Sequence, residues 1–122
     1  MPILDVQLIG PVPDEIRLGL ARRIADAAAE ALHSRPQGTW ARLRLIPAED
    51  YAENAGGPPP GARPVIVTVL EADPPRGPAL ADEAARLTRA IAAACGRPSE
   101  NVHLIYEPPA RGRIAFGGGL LE

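Results

Sequence analysis

Residues 64 to 70 read PVIVTVL and residues 2 to 9 read PILDVQLI. Each segment opens on a proline and continues in Val, Ile and Leu, residues that suit a pleated, half-buried surface. Residues 2 to 9 stop at Gly10-Pro11, a chain breaker. Residues 64 to 70 are apolar at nearly every position, which predicts a strand covered on both faces. Behind each segment lies a helical pattern and then another strand. In the first half, Pro13-Asp14-Glu15 puts a proline and two acids where a helix begins, and the helix is predicted to run to about His33. Ile16, Leu20, Ile24, Ala27 and Ala31 recur at spacings of three and four and form its core stripe. Trp40 to Pro47 then alternates, with Leu43 and Leu45 on one face and Arg42 and Arg44 on the other.

The second half repeats the order. A turn, Asp73-Pro74-Pro75-Arg76-Gly77-Pro78, leads into a helix from about Ala79 to Cys95 with the stripe Leu80, Ala84, Leu87, Ile91 and Cys95, closed by Gly96 and Pro98. Asn101 to Glu107 is the fourth strand. Residues 48 to 63 are polar and rich in Gly and Pro, a connecting loop. The 122 residues are therefore expected to form one α+β domain, residues 1–122, with repeat one at 1–47, the loop at 48–63 and repeat two at 64–122. Laying the halves together sets Pro2 on Pro64 and Leu43-Arg44-Leu45 on Val102-His103-Leu104. Right-handed crossovers place both helices on one face of a four-stranded mixed sheet. The bare face then needs a cover, and other subunits of the same chain are the natural one.

Composition excludes several functions. Thirteen basic residues against fifteen acidic ones give a net charge of -2, with no electrostatic footprint for nucleic acid or an anionic membrane. All thirteen are arginine, which removes lysine Schiff-base chemistry and a phosphate-loop lysine. One cysteine, Cys95, and two histidines, His33 and His103, cannot assemble a Cys/His zinc site, and no metal or other cofactor is expected. Cys95 reads as a small core residue, and His33 as a cap at a helix C-terminus. Aromatic residues total 3%, too few for base stacking. No apolar run is long enough to cross a bilayer. The start, MPILDVQLIG, has no basic region ahead of an apolar core, so a cytoplasmic location is the expectation. The tract Gly117-Gly118-Gly119 lacks a strand-to-helix setting for a phosphate loop and reads as a flexible C-terminal edge.

Three features together resemble the tautomerase superfamily, in the long form of the macrophage migration inhibitory factor and the fused 4-oxalocrotonate tautomerases. They are Pro2 directly after Met1, the duplicated β-α-β unit, and the stretch RPSENVHLIYEPPARGRIAFGGG from Arg97 to Gly119. The resemblance spans nearly the whole chain. It implies a trimeric tautomerase fold and a cofactor-independent isomerase acting on a small 2-oxo or 2-hydroxy carboxylic acid.

The implied chemistry is physically coherent. Removal of Met1 would leave Pro2 as an N-terminal secondary amine whose ordinary pKa lies at about 7.7 to 8.0. Burial near arginines disfavours its charged form, so it can act as general base without lysine or histidine. Developing negative charge needs preorganised cations, and arginine can both bind a carboxylate and polarise a neighbouring oxygen. Similarity places Arg44 at the family's strand arginine, with Arg42 on the same face able to exchange roles with it. Arg76 matches the arginine-bearing turn of the fused members, and Arg35 lies near a basic residue of the long forms. His103 stands where the strand arginine would recur and, with Tyr106 on the same strand, is a candidate substrate contact. The aromatic before the glycine tract corresponds to Ile114 or Phe116. The chain departs from the family at Val12, where short forms carry a substrate-binding arginine, at Thr39, where no decarboxylase aspartate lies nearby, and at Ala28, where dehalogenases carry histidine. These departures favour isomerisation; a dehalogenase- or decarboxylase-like member, or a non-catalytic oligomeric ligand-binding protein, are the alternatives.

Overall fold

A computed structural model describes residues Met1 to Glu122. The chain forms β1 (Ile3–Ile9), a single turn α1 (Asp14–Arg17), α2 (Leu20–Ala31), β2 (Trp40–Ile46), β3 (Val65–Leu70), α3 (Pro78–Cys95), β4 (Val102–Tyr106) and a short hairpin of β5 (Ala115–Phe116) and β6 (Gly119–Leu120). The four long strands make one mixed sheet in the order β2-β1-β3-β4. β1 pairs parallel with β2 and antiparallel with β3, and β3 pairs parallel with β4. The architecture is thus α+β, with two β-α-β units joined back to back through β1 and β3.

Alternation along the two central strands decides what lies where. Leu4, Val6 and Leu8 of β1 and Val65, Val67 and Val69 of β3 are fully or almost fully buried. They meet Leu20, Ile24 and Ala28 of α2 and Leu87, Ile91 and Cys95 of α3 in one core. Asp5, Gln7, Ile66 and Thr68, on the opposite face, are only half-buried, since no helix covers that side. β3, expected to be covered on both faces, is buried on one in the single chain.

The repeat is real but its register differs from the expected one. Superposing Pro2 on Pro64 would set Leu4 on Ile66 and so exchange the buried and open faces. A displacement of half the chain instead sets Leu4 on Val65, Val6 on Val67 and Arg42 on His103, keeping every face. Arg42, and not Arg44, is therefore the internal counterpart of His103.

The first helix also departs from expectation, breaking into two at Leu18-Gly19. Gly19 adopts φ 71 and ψ 13, the left-handed region that a residue without a Cβ enters freely. The Arg23 guanidinium donates to the carbonyls of Ile16 and Leu18 that the break leaves without helical partners. Ile16 keeps its packing against the core from α1. The glycine tract is not a loose edge: Gly117 and Gly118, both with positive φ, form the turn of the β5–β6 hairpin. Phe116 packs edge-on against Trp40, with ring centroids 5.5 Å apart. No helix is long and apolar enough to cross a membrane.

Ile91 is fully enclosed between the sheet and α2. Truncation by Ile91→Ala should therefore lower the unfolding free energy by about 2 to 5 kcal/mol, read as a shift of the urea midpoint at unchanged slope.

Candidate active site

The sheet carries its chemistry-bearing side chains in rows. Arg42 lies opposite Asp5, which lies opposite Thr68 and then Ile105; Arg44, Gln7, Ile66 and His103 form the next row. All project from the open face. Arg42 is not a free cation: its Nε and Nη2 donate to Asp5 Oδ1 and Oδ2 at 2.5 and 2.8 Å. This bidentate pair raises the guanidinium pKa, the Asp5 hydrogen bonds first and its charge second. Arg44 has no ion-pair partner. His103 stands at the far edge of its row, three strand spacings of about 4.8 Å from Arg44.

The C-terminal segment roofs one end of this face. Arg111 grips Asp73 with Nε at 2.9 Å and Nη2 at 2.6 Å, and its Nη1 donates to the carbonyl of Glu122, so the tail is tied to the turn after β3. A cavity of about 450 Å³ results, lined among others by Ile3, Asp5, Arg42, Leu70, Arg113 and Ile114. Of the two residues expected before the glycine tract, Ile114 lines this cavity while Phe116 lies against Trp40. Arg113, not anticipated from the sequence, supplies the cavity's second guanidinium.

Pro2 lies at the head of β1 and is buried, with its carbonyl accepting from Trp40 N–H at 3.0 Å. The amine of Met1, the residue before it, is held below its ordinary value by burial first and by the positive charge of Arg35 second. Arg35 thus stands close enough to Met1 to act on it. Arg76 is exposed in the turn before α3, with no ion-pair partner.

Tyr106 does not share a face with His103. Three residues apart on one strand, the two project oppositely. Tyr106 faces the helices, where its hydroxyl donates to Glu83 Oε2 at 2.9 Å. Burial first and Glu83 second raise the Tyr106 pKa, leaving it a neutral donor. Glu83 is 7% exposed, an acid in the buried stripe of α3 at the position four before Leu87. Glu71 lies next to it, with Oε2 buried and without a hydrogen-bond partner. Burial and the adjacent Glu83 carboxyl push Glu71 up to about 7. One step beyond the Ile3–Leu70 pair, the antiparallel register carries Pro2 toward Glu71, and alternation directs both to the helix side. Sequence reasoning missed both acids, although each continues a visible period: Glu71 follows Val65, Val67 and Val69, and Glu83 precedes Leu87 and Ile91.

Two groupings therefore emerge. Arg42, Arg44 and Ile114 belong to the open face near its roofed end, with His103 on the same face at the opposite edge. Pro2, Tyr106, Glu71 and Glu83 lie on the helix side of the same sheet, with Arg35 beside the N-terminus. The arrangement presents guanidinium groups to an anion on the open face and carboxyl groups on the helix side of the same sheet.

No family model and no curated protein matches this sequence. Solved structures do match in fold. The chain superimposes with a TM-score of 0.76 on a wild-type fused 4-OT symmetric trimer, at 19% identity over 98% of this chain and 94% of that one. It matches FG41 malonate semialdehyde decarboxylase inhibited by 3-bromopropiolate at 0.72, with 22% identity over 94% and 88%. A macrophage migration inhibitory factor-like protein from Entamoeba histolytica gives 0.71, with 10% identity over 98% and 97%. The protein has the tautomerase superfamily fold.

The raised Glu71 pKa has a measurable consequence. A carboxyl that binds its proton more tightly when folded stabilises the fold fully below its unfolded value, 4.5, and loses that contribution as pH rises through about 7. Glu71→Gln removes the proton in question. Its urea midpoint should decline less between pH 5 and pH 8 than the wild-type midpoint does; equal declines would show that Glu71 does not carry the proton.

Proposed function

We propose that this protein is a cofactor-independent tautomerase acting on a small 2-oxo or 2-hydroxy carboxylic acid. Loss of Met1 frees the Pro2 nitrogen, which then serves as general base. The observation that carries the proposal is the burial of Pro2 at the head of β1, next to a Met1 amine that burial first and the Arg35 charge second hold below its ordinary value.

In the proposed reaction the neutral amine takes a proton from the carbon next to the carbonyl. Charge passes to the carbonyl oxygen, and an arginine of the open face stabilises it while a second binds the carboxylate. Arg44 suits the first role because no carboxylate neutralises it. Arg35 and Arg76 are further candidates for anchoring the carboxylate. The protonated proline returns the proton to another carbon or to oxygen, so no electrons leave the substrate and no cofactor is required. Similarity in fold to a malonate semialdehyde decarboxylase supports a second reading, decarboxylation of a small 3-oxo acid, which release of carbon dioxide would reveal.

The uncovered sheet face supports assembly into a homotrimer. Trp40 and Ile105 on it are 52% and 53% exposed, an apolar surface that water disfavours, and fused 4-OT proteins of this fold were solved as trimers. A second and third copy covering this face would also bring Arg44 and His103 of one chain toward the cavity of another.

Intact mass should show that Met1 is removed. Phenylenolpyruvate and 2-hydroxymuconate are the substrates to assay, and Pro2→Ala should lower kcat/KM by about 10²- to 10⁴-fold. Retained Met1, or an unchanged rate in the variant, would sink the proposal. Light scattering after gel filtration should give three times the 12.8 kDa chain mass; Ile105→Glu, which places a charge on the open face, should shift that mass toward the monomer.

A further inference from the structure

The internal repeat gives the fold two comparable ends, and only one carries Pro2. Arg35-Pro36 follows the first helical segment, and Arg97-Pro98 follows α3. In the half-chain displacement that preserves the strand faces, Pro2 falls on Arg63 and Ile3 on Pro64. Arg97 thus stands by the entry to β3 as Arg35 stands by the entry to β1. No free amine can arise there, because Pro64 is acylated within the chain.

A cavity of about 590 Å³ occupies this second end, lined among others by Pro11, Ile16, Arg63, Cys95, Arg97 and Asn101. Its construction is specific. Arg97 Nη1 donates to the carbonyl of Ile9 at 3.0 Å and to that of Arg63 at 2.7 Å, which locks the side chain while leaving Nε and Nη2 for another partner. Arg63 lies over Gly10, where a Cβ would stand 2.7 Å from its Nη1, so this glycine leaves the space that the guanidinium fills. Neither arginine pairs with a carboxylate, and no acid lines the cavity. In a chain of net charge -2, two guanidinium groups sharing one concave site without a counter-ion are an unusual concentration of positive charge. Burial first, and the Arg63 charge to a smaller extent, hold Arg97 below the ordinary arginine value.

We infer that the second end of the repeat is a non-catalytic binding site for a small oxyanion, with Arg97 as its fixed donor and Arg63 as its adjustable one. Carboxylate and phosphate present the same paired oxygens to a guanidinium fork, and either would neutralise the site. Asn101, on the cavity wall, can donate a further hydrogen bond through its amide.

The test is titration of the full protein with malonate and, separately, with inorganic phosphate at low ionic strength, followed by backbone amide NMR. The amides of Gly96 and Asn101 should shift saturably with at least one of the two anions, and the anion that acts at lower concentration identifies the ligand class. Arg63→Gln should weaken that binding tenfold or more. Its guanidinium makes no hydrogen bond and the carbonyl that Arg97 uses is retained, so the fold should survive, which an unchanged amide spectrum elsewhere would verify. Added sodium chloride should weaken the wild-type binding as well. Absence of a saturable shift at Gly96 and Asn101 with both anions, or equal affinity in the variant, would overturn the inference. Pro2→Ala should leave these shifts unchanged, so the outcome is separate from that of the proposed isomerase activity.

Discussion

The helix layer imposes a two-residue alternation on β1 and β3, and the rest of the structure depends on it. Leu4, Val6, Leu8, Val65, Val67 and Val69 have to face α2 and α3. Sliding either strand by one residue would bury Asp5, Gln7 or Thr68 and expose the valines, so the register has a single solution. That solution assigns every other residue. Asp5 and Arg42 are put on the open face, where water and a second copy can reach them. Pro2 and Glu71 are put on the helix side, at one end of the sheet. The candidate residues lie on both faces of the sheet for this reason.

Arginine is the only cationic side chain apart from histidine, and the structure divides its uses. Arg42 and Arg111 form bidentate pairs with Asp5 and Asp73. Arg23, Arg86 and Arg97 donate to backbone carbonyls left over at helix and strand ends. The planar fork suits both tasks, because it satisfies two acceptors at once with little further loss of freedom. Arg35, Arg44 and Arg63 form no ion pair. Those three fall near the first residue of β1, on the open face and by the first residue of β3; Arg17, Arg76, Arg89 and Arg113 form no ion pair either.

Much of this was legible in the residues. The alternation of Leu43 and Leu45 with Arg42 and Arg44 located β2 and its faces, and the Gly96–Pro98 stop ended α3 where the structure ends it. Other features were not. The pattern through Ile16 and Leu20 is compatible with one long helix, and only the packing of α1 against the core, with Arg23 folded back on its carbonyls, shows why Gly19 interrupts it. The glycine tract looked featureless because its order comes from distant residues, Trp40 against Phe116 and Arg111 across to Asp73. Glu71 and Glu83 were overlooked because an acid is ordinarily a solvent residue; Glu83 is buried where the Tyr106 hydroxyl donates to it.

The sequence by itself determined the duplicated β-α-β order, the α+β class and the faces of β2, because these follow from periodicity and from breakers that act over a few residues. It also limited the chemistry, since a chain without lysine and with one cysteine has few nucleophiles to offer. Only the tertiary structure decided which arginines are ion-paired and which are not, and that Glu71 and Glu83 come together on the helix side of the sheet. Those facts depend on pairs far apart in the chain, Asp5 with Arg42, Glu71 with Glu83 and Arg97 with Ile9. No local pattern encodes such contacts; they exist because burying one face of the sheet brings the distant segments together.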